Sequence, residues 1–390
     1  MAETGLFWLL LPVAAASGWL AHAVAQRRQE ALSLKQFSTS YFRGLNYLLN
    51  EQPDKAIEVF LKIAEVDRDT VETHLALGNL FRRRGEVDRA IRFHQNLVSR
   101  EGLSHEQRTQ AVLELGEDFM RAGLLDRAEK LFADLLKMKE HRPEALRHLI
   151  SIYQQERDWD KSIEHARTLQ EVSGQNMRPV IAQFFCEIAQ AMSDGNNFQS
   201  ARNQLRRALN VDPGCVRASM LEGHICVQEG QCDQAIAAYR RVAEQDLDYI
   251  PDVLEPILRC FESAGRSEEA REFLTDVIQR YRGVSPVIAL AELILVEEGR
   301  QEAAEFISAQ LRQRPSVRGL AYLIGLNLHD TEGLQRDNLL ILQDLTSKLL
   351  EGKPVYRCNQ CGFGTRSLHW QCPSCKSWNS VKPIHGVAGE

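Results

Sequence analysis

The sequence predicts an all-α protein. A superhelix of about eight helix–turn–helix repeats covers residues 41–315, behind one N-terminal transmembrane helix and ahead of a small C-terminal four-cysteine metal domain. Three observations carry this. Small residues recur at a near-constant period through most of the chain. An uncharged apolar run lies close to the N-terminus. Four of the nine cysteines fall in two C-x2-C pairs near the other end.

The apolar run, residues 5–25, reads GLFWLLLPVAAASGWLAHAVA, with His22 as its one titratable side chain. As a helix it spans about 30 Å, the thickness of a hydrocarbon core. Trp8 and Trp19 stand where interfacial aromatics belong. Pro12 is tolerable because neighbours or local distortion satisfy the freed carbonyl. A cleaved signal peptide would carry positive charge ahead of the run. Here Glu3 precedes it, and Arg27 and Arg28 follow. The segment therefore reads as a retained single-pass anchor, with residues 1–4 outside and the body on the cytoplasmic side. Residues 26–40 form a polar linker.

The repeat is read from Ala56, Ala90, Ala128, Ser162, Ala201, Ala235, Ala270 and Ala304, spaced 34, 38, 34, 39, 34, 35 and 34 residues apart. Gly44, Gly78, Gly116 and Gly223 lie twelve residues before four of these. Gly85, Gly123, Gly230, Gly265 and Gly299 lie five residues before five of them. Two amphipathic helices joined at a turn glycine, packed where small residues let the backbones approach, explain the pattern. A 34-residue helix–turn–helix period is the signature of tetratricopeptide repeats. Ile150 and Ser162 break the small pair in the fourth repeat, which predicts looser or shifted packing there. The two longer spacings predict extra residues near 103–105 and 173–178. Residues 316–351 hold two more helical stretches, 317–328 and 334–350, read as a cap over the apolar end of the array.

Composition sets limits. Each repeat packs only on its neighbours, so 390 residues need no single core. A net charge of −6 argues against a general nucleic-acid binder. Cys186, Cys215, Cys226, Cys232 and Cys260 lack metal-ligand spacing and read as small buried side chains in a reducing compartment. Arg82, Arg83 and Arg84 read as a solvated loop face, with contact to an acidic partner or anionic lipid as the functional alternative. His74, His94, His141, His148 and His165 are scattered and read as surface or satisfied residues.

Residues 355–378 read VYRCNQCGFGTRSLHWQCPSCKSW. Cys358 and Cys361 form one pair, and Cys372 and Cys375 the other, with ten residues between. Each pair sits on a tight turn whose amides can point at sulfur. Four thiolates so arranged suit one tetrahedral ion, zinc or iron. With all four positions taken by protein, a zinc here is closed and structural. So short a segment cannot build a core, and metal binding is its folding energy. Redox dithiol chemistry is the weaker alternative. Gly362 supplies a left-handed turn residue. Tyr356, Phe363, Trp370 and Trp378 are expected to pack around the site. Residues 351–390 carry five Lys or Arg against two Glu, and four thiolates on a divalent ion leave about +1. That is too little to track phosphates, so packing on the repeats or on a protein partner is expected instead. The chain has no Gly-rich phosphate loop, nucleophile elbow or His/Glu hydrolase motif, so it is read as no enzyme.

Three stretches together resemble the lipopolysaccharide assembly protein B family. They are LLPVAAASGW (10–19), LGNLFRRRGEVDRAIRFHQ (77–95), and YRCNQCGF (356–363) with HWQCPSCKSWNSVKPI (369–384). The resemblance runs over essentially the whole length, and its tail motif is specific. It implies a periplasmic tip, one helix in the inner membrane and a cytoplasmic body. It also implies a rubredoxin-like domain at residues 352–390, whose ligands match Cys358, Cys361, Cys372 and Cys375. It further implies an adaptor that lowers lipopolysaccharide synthesis by promoting proteolysis of the deacetylase LpxC by the membrane protease FtsH, and that gathers lipopolysaccharide-synthesis and transport proteins. A general envelope-assembly scaffold without a proteolytic role, and a four-cysteine iron redox module, stay open. Oligomeric state and the partner-contacting residues are not legible.

Overall fold

The computed structural model describes residues 42–44, 46–47, 52, 55–60, 71–387 and 389–390. The predicted tip, membrane helix and linker lie outside the described residues. Among the described residues no helix is long and apolar enough to cross a membrane.

The small residues of the period meet large ones of fixed position. Gly44 faces Phe60, Gly78 faces His94, Gly116 faces Phe132 and Gly223 faces Tyr239, always sixteen residues downstream. A Cβ on these glycines would lie 2.6, 2.2, 2.6 and 2.5 Å from the opposing ring. In these four hairpins the missing Cβ is therefore what lets the second helix bring its ring against the first. At the turns, Gly85 and the four glycines equivalent to it all have positive φ. The fourth and fifth repeats lack that glycine, and Arg157 and Asn196 take the same left-handed position at φ 59 and 58.

The chain divides into two compact units, Met1–Glu156 and Arg157–Glu390. The boundary falls in the turn of the fourth repeat, where the small pair is broken. After the helical residues 42–44, 46–47 and 55–60, the first unit contains α1 (Val71–Arg83), α2 (Val87–Val98), α3 (His105–Arg121), α4 (Leu125–Met138) and α5 (Arg142–Glu156). Its core joins Ala56, Phe60, Leu77, Leu80, Phe81 and Ala90, and further along Phe119, Ala128, Phe132, Leu149 and Ile152. Arg82 is no loop residue. It pairs with Glu114 at 2.6 Å, Glu117 at 2.8 Å and Asp118 at 2.8 Å. Asp118 in turn holds Nδ1 of the fully buried His94 at 2.5 Å.

The second unit contains α6 (Trp159–Ser173), α7 (Arg178–Asp194), α8 (Phe198–Val211), α9 (Val216–Gln228), α10 (Cys232–Gln245), a 3-10 turn (Leu247–Tyr249), α11 (Ile250–Ser263), α12 (Ser267–Arg280), α13 (Ser285–Glu297), α14 (Arg300–Gln313), α15 (Val317–Leu328) and α16 (Gly333–Leu350). Its first helices touch in sequence, α7 on α9, α9 on α11, α11 on α13 and α13 on α15. One core runs through the later repeats, from Tyr239 and Val242 through Phe261 and Leu274 to Leu290, Ala303 and Leu326. The extra residues of the two long spacings go partly into helix: α3 and α7 each have 17 residues against 13 in α1. Ile150 and Ser162 are both buried. The Ser162 hydroxyl bonds back to the Asp158 carbonyl at 2.9 Å, so the departure from the pattern leaves neither residue exposed. Four of the five helical cysteines are buried and Cys232 is half-buried. α15 buries Ile324, Leu326 and Leu328, whereas α16 buries only Thr346.

After α16 the chain forms three short strands, β1 (Tyr356–Cys358), β2 (Gly364–Thr365) and β3 (Val381–Pro383), in the order β2-β1-β3. Both pairings are antiparallel, with Arg357 opposite Gly364 on one side and opposite Lys382 on the other.

Candidate metal centre

The two cysteine pairs form a pair of matching knuckles. In the first, the Gly362 N–H donates to the Cys358 carbonyl and the Cys358 N–H to the Phe363 carbonyl, each at 2.9 Å. In the second, the Lys376 N–H donates to the Cys372 carbonyl and the Cys372 N–H to the Ser377 carbonyl, again at 2.9 Å. The residue after each second cysteine is left-handed, Gly362 at φ 77 and Lys376 at φ 59. The sequence marks the first of these through its glycine and hides the second behind a lysine.

The turns bring the four sulfurs together. All lie within 4.8 Å of one another. Cys358 is 3.7 Å from Cys375, and Cys361 is 3.7 Å from Cys372. Disulfides would need about 2.05 Å. Sulfurs at the corners of a tetrahedron, each about 2.3 Å from one ion, stand about 3.8 Å apart. The separations therefore fit one ion among four thiolates, and thiolates gathered this closely repel one another without a cation. Cys358 and Cys372 are buried while Cys361 and Cys375 are exposed. The Ser380 hydroxyl, 3.3 Å from Cys358 Sγ, together with nearby backbone N–H groups, draws that thiol down to about 6. Ser377 lowers Cys375, and burial pushes Cys372 up to about 11.

The domain is seated on the first helices of the second unit. Trp370 stacks on Tyr249, with ring centroids 5.1 Å apart. The Arg217 guanidinium lies 5.8 Å from the Trp370 ring and pairs with Glu187 at 2.7 Å. Trp378 meets Phe184 edge-on at 5.9 Å. The Tyr356 hydroxyl donates to Asp252 at 2.6 Å, and Gln183 donates to Asn379 at 2.8 Å. Lys382 pairs with Asp246. The final residues return as well. The Val317 N–H donates to the Val387 carbonyl at 2.7 Å, and Glu390 holds the Ser285 hydroxyl at 2.7 Å and Arg318.

This corrects the expected role of the aromatics. Trp370 and Trp378 face the repeats, Phe363 is exposed, and of the four Tyr356 alone both touches the cysteine cluster and reaches a helix. Sequence reasoning missed the other side of the seat, Gln183, Arg217, Asp246, Tyr249 and Asp252. Arg217 is only 6% exposed despite its charge, and its sequence neighbours in α9, which include Ser219, Glu222 and His224, do not mark it out.

Both the tail and the repeats are similar to known proteins. Residues 356–383 match a family described as rubredoxin metal binding domain. Residues 73–106, 113–176 and 186–250 match tetratricopeptide repeats. The chain is 37% identical over 385 residues to the lipopolysaccharide assembly protein B of Escherichia coli (strain K12), covering 98% of this chain and 99% of that one. It is 35% identical over 389 residues to the protein of the same name from Haemophilus influenzae, covering 97% and 98%. Among solved structures, a repeat protein of Cytophaga hutchinsonii is similar at 14% identity and a TM-score of 0.39, over 68% of this chain and 98% of that one.

Proposed function

The chain belongs to the lipopolysaccharide assembly protein B family, and on that premise we propose that it is a non-enzymatic scaffold of lipopolysaccharide assembly that works as a membrane-anchored adaptor. Residues 5–25 hold it in the inner membrane, with the repeats on the cytoplasmic side. There it promotes proteolysis of LpxC by FtsH and gathers lipopolysaccharide-synthesis proteins. The observation that carries this reading is the full-length likeness to two proteins bearing that name. The physics is compatible with it. Repeat arrays present extended surfaces to protein partners. Tethering to the bilayer raises effective concentration without any new contact.

In this reading Cys358, Cys361, Cys372 and Cys375 hold one ion, zinc or iron, whose contribution is to cross-link the two knuckles. The knuckles then present Trp370, Tyr356 and Lys382 to the repeats as one rigid face. Cys358→Ser should take the metal content well below one per chain and remove amide protection across residues 356–383. A Cys358→Ser chain that keeps one ion would sink the ligand assignment. A colourless, zinc-filled protein would remove the iron redox alternative.

The adaptor role is tested by the half-life of LpxC in cells with this protein present and then depleted, the protease being intact. The half-life should lengthen on depletion. An unchanged half-life would remove the proteolytic role and leave an assembly scaffold.

A further inference from the structure

Among the described residues, nothing covers the outer face of α16. Leu334, Ile341, Leu342, Leu345 and Leu349 are exposed on it, Leu334 at 77% and Ile341 at 59%. Thr346 is the only buried residue of the helix. Ile341, Leu342, Leu345 and Leu349 recur at three- and four-residue spacings, and Leu334 lies seven before Ile341. They therefore line one stripe of the helix. Such a stripe bares on the order of 500 Å² of apolar surface, near the top of what a monomer's largest patch reaches. It also stands at the end of a repeat array, where solubility requires a polar outer face. α16 covers α15 and leaves the same problem one helix further on.

We propose that α16 is an isologous dimer interface, covered by α16 of a second copy of this chain. Charge argues for this occupant. Within Gly333–Leu350, Arg336 and Lys348 are balanced by Asp337 and Asp344, and Lys348 pairs with Asp344 at 2.7 Å. A helix that lies on lipid carries an excess of Lys and Arg on its polar face. A strongly charged partner would require an opposite excess here. A neutral stripe with balanced flanks is complementary to itself, as a two-fold interface must be. With its polar flanks the stripe approaches the roughly 800 Å² per partner that a stable interface uses.

The test is sedimentation equilibrium of the full-length chain in a non-ionic detergent, with the micelle density-matched. The expected particle contains two chains of 44.3 kDa. Leu345→Glu should weaken association at least about 100-fold, because it places a charge at the centre of the stripe. Ile341→Gln should act in the same direction. Far-UV circular dichroism and metal content should be unchanged in both, since both positions are exposed. A wild-type chain that is monomeric at tens of micromolar overturns the proposal. So does a dimer that survives both substitutions, which would place self-association elsewhere. Binding of the wild-type chain, but not Leu345→Glu, to vesicles by α16 without any change of mass would assign the stripe to lipid and likewise overturn it.

Discussion

Trp370→Ala separates folding of the metal domain from its seating on the repeats. The indole contributes nothing to the metal. It stacks on Tyr249 at 5.1 Å, lies 5.8 Å from the Arg217 guanidinium, and packs with Leu368 on the core of the later repeats. Truncating a packed Trp costs about 3–5 kcal/mol. The stacking, about 0.5–1.5 kcal/mol, and the cation–π contact, about 1–2 kcal/mol for a buried guanidinium, are contained in that figure rather than added to it. The undocked fraction should therefore rise by about two to three and a half decades. Native-state hydrogen exchange on the metal-loaded, full-length chain in detergent reads this at two amides. Val317 N–H is bonded to the Val387 carbonyl and exchanges once the tail lifts away. Cys358 N–H is bonded to the Phe363 carbonyl inside the domain and should stay protected. Phe363→Ala is the control, an exposed aromatic of the same domain, expected to cost under about 1 kcal/mol. Protection at Val317 that is unchanged in Trp370→Ala would refute the seating argument. Protection lost equally at Cys358 would show that the substitution unfolds the domain instead of undocking it.

The remaining predictions concern the repeats and the seat. Gly78→Ala puts a Cβ 2.2 Å from His94 Nε2, and His94 cannot retreat without leaving Asp118. It should destabilise the first unit by about 3 kcal/mol or more in urea titration, despite about 1 kcal/mol of helix propensity gained. A neutral result would contradict the close helix approach. Arg157→Gly relieves a left-handed Arg at φ 59 and should stabilise the protein by about 1 kcal/mol, read as a raised thermal midpoint. Burial raises the Asp252 carboxyl above its usual 3.8, with the Tyr356 hydroxyl partly opposing. The sign follows from that direction: ionised Asp252 weakens the seat, and the penalty disappears as pH falls through the raised value toward 3.8. Asp252→Asn keeps an acceptor for Tyr356, so it should increase Val317 protection at pH 7, with a gain that shrinks on acidification. A gain independent of pH would point to a cause other than ionisation.

Local chemistry was legible and long-range chemistry was not. The alanine and glycine period located the helical hairpins because each repeat solves the same packing problem. The sixteen-residue step from Gly116 to Phe132 or Gly223 to Tyr239 was equally present in the sequence. The two C-x2-C pairs announced a four-sulfur site because both knuckles are local turns. Arg157, Asn196 and Lys376 were hidden because a left-handed residue without glycine is a cost borne by the surrounding fold and leaves no compositional trace. Arg82 was misread as a solvated loop residue because its three carboxylate partners lie more than thirty residues on, in the next repeat.

The seat of the metal domain shows why the period alone does not reveal it. Gln183, Arg217 and Asp252 are 34 and 35 residues apart, so they occupy one position of the first helix in three successive repeats. They reach the metal domain through Asn379, Trp370 and Tyr356 respectively. A periodic polar row is what a repeat array offers to anything lying along it. Yet the same position in the first unit holds Glu72, Gln110 and Glu144, which are polar as well. Polarity at that position is therefore common to both halves, and the choice between them rests on particular partners. Asp252 is half-buried and takes the donor that Tyr356 supplies, and Arg217, walled in beside Glu187, lies close to the Trp370 ring. Glu72 and Glu144 are exposed and can stay hydrated. Desolvated polar groups in the second unit need partners that the tail supplies, whereas the equivalent carboxylates of the first unit can be satisfied by water.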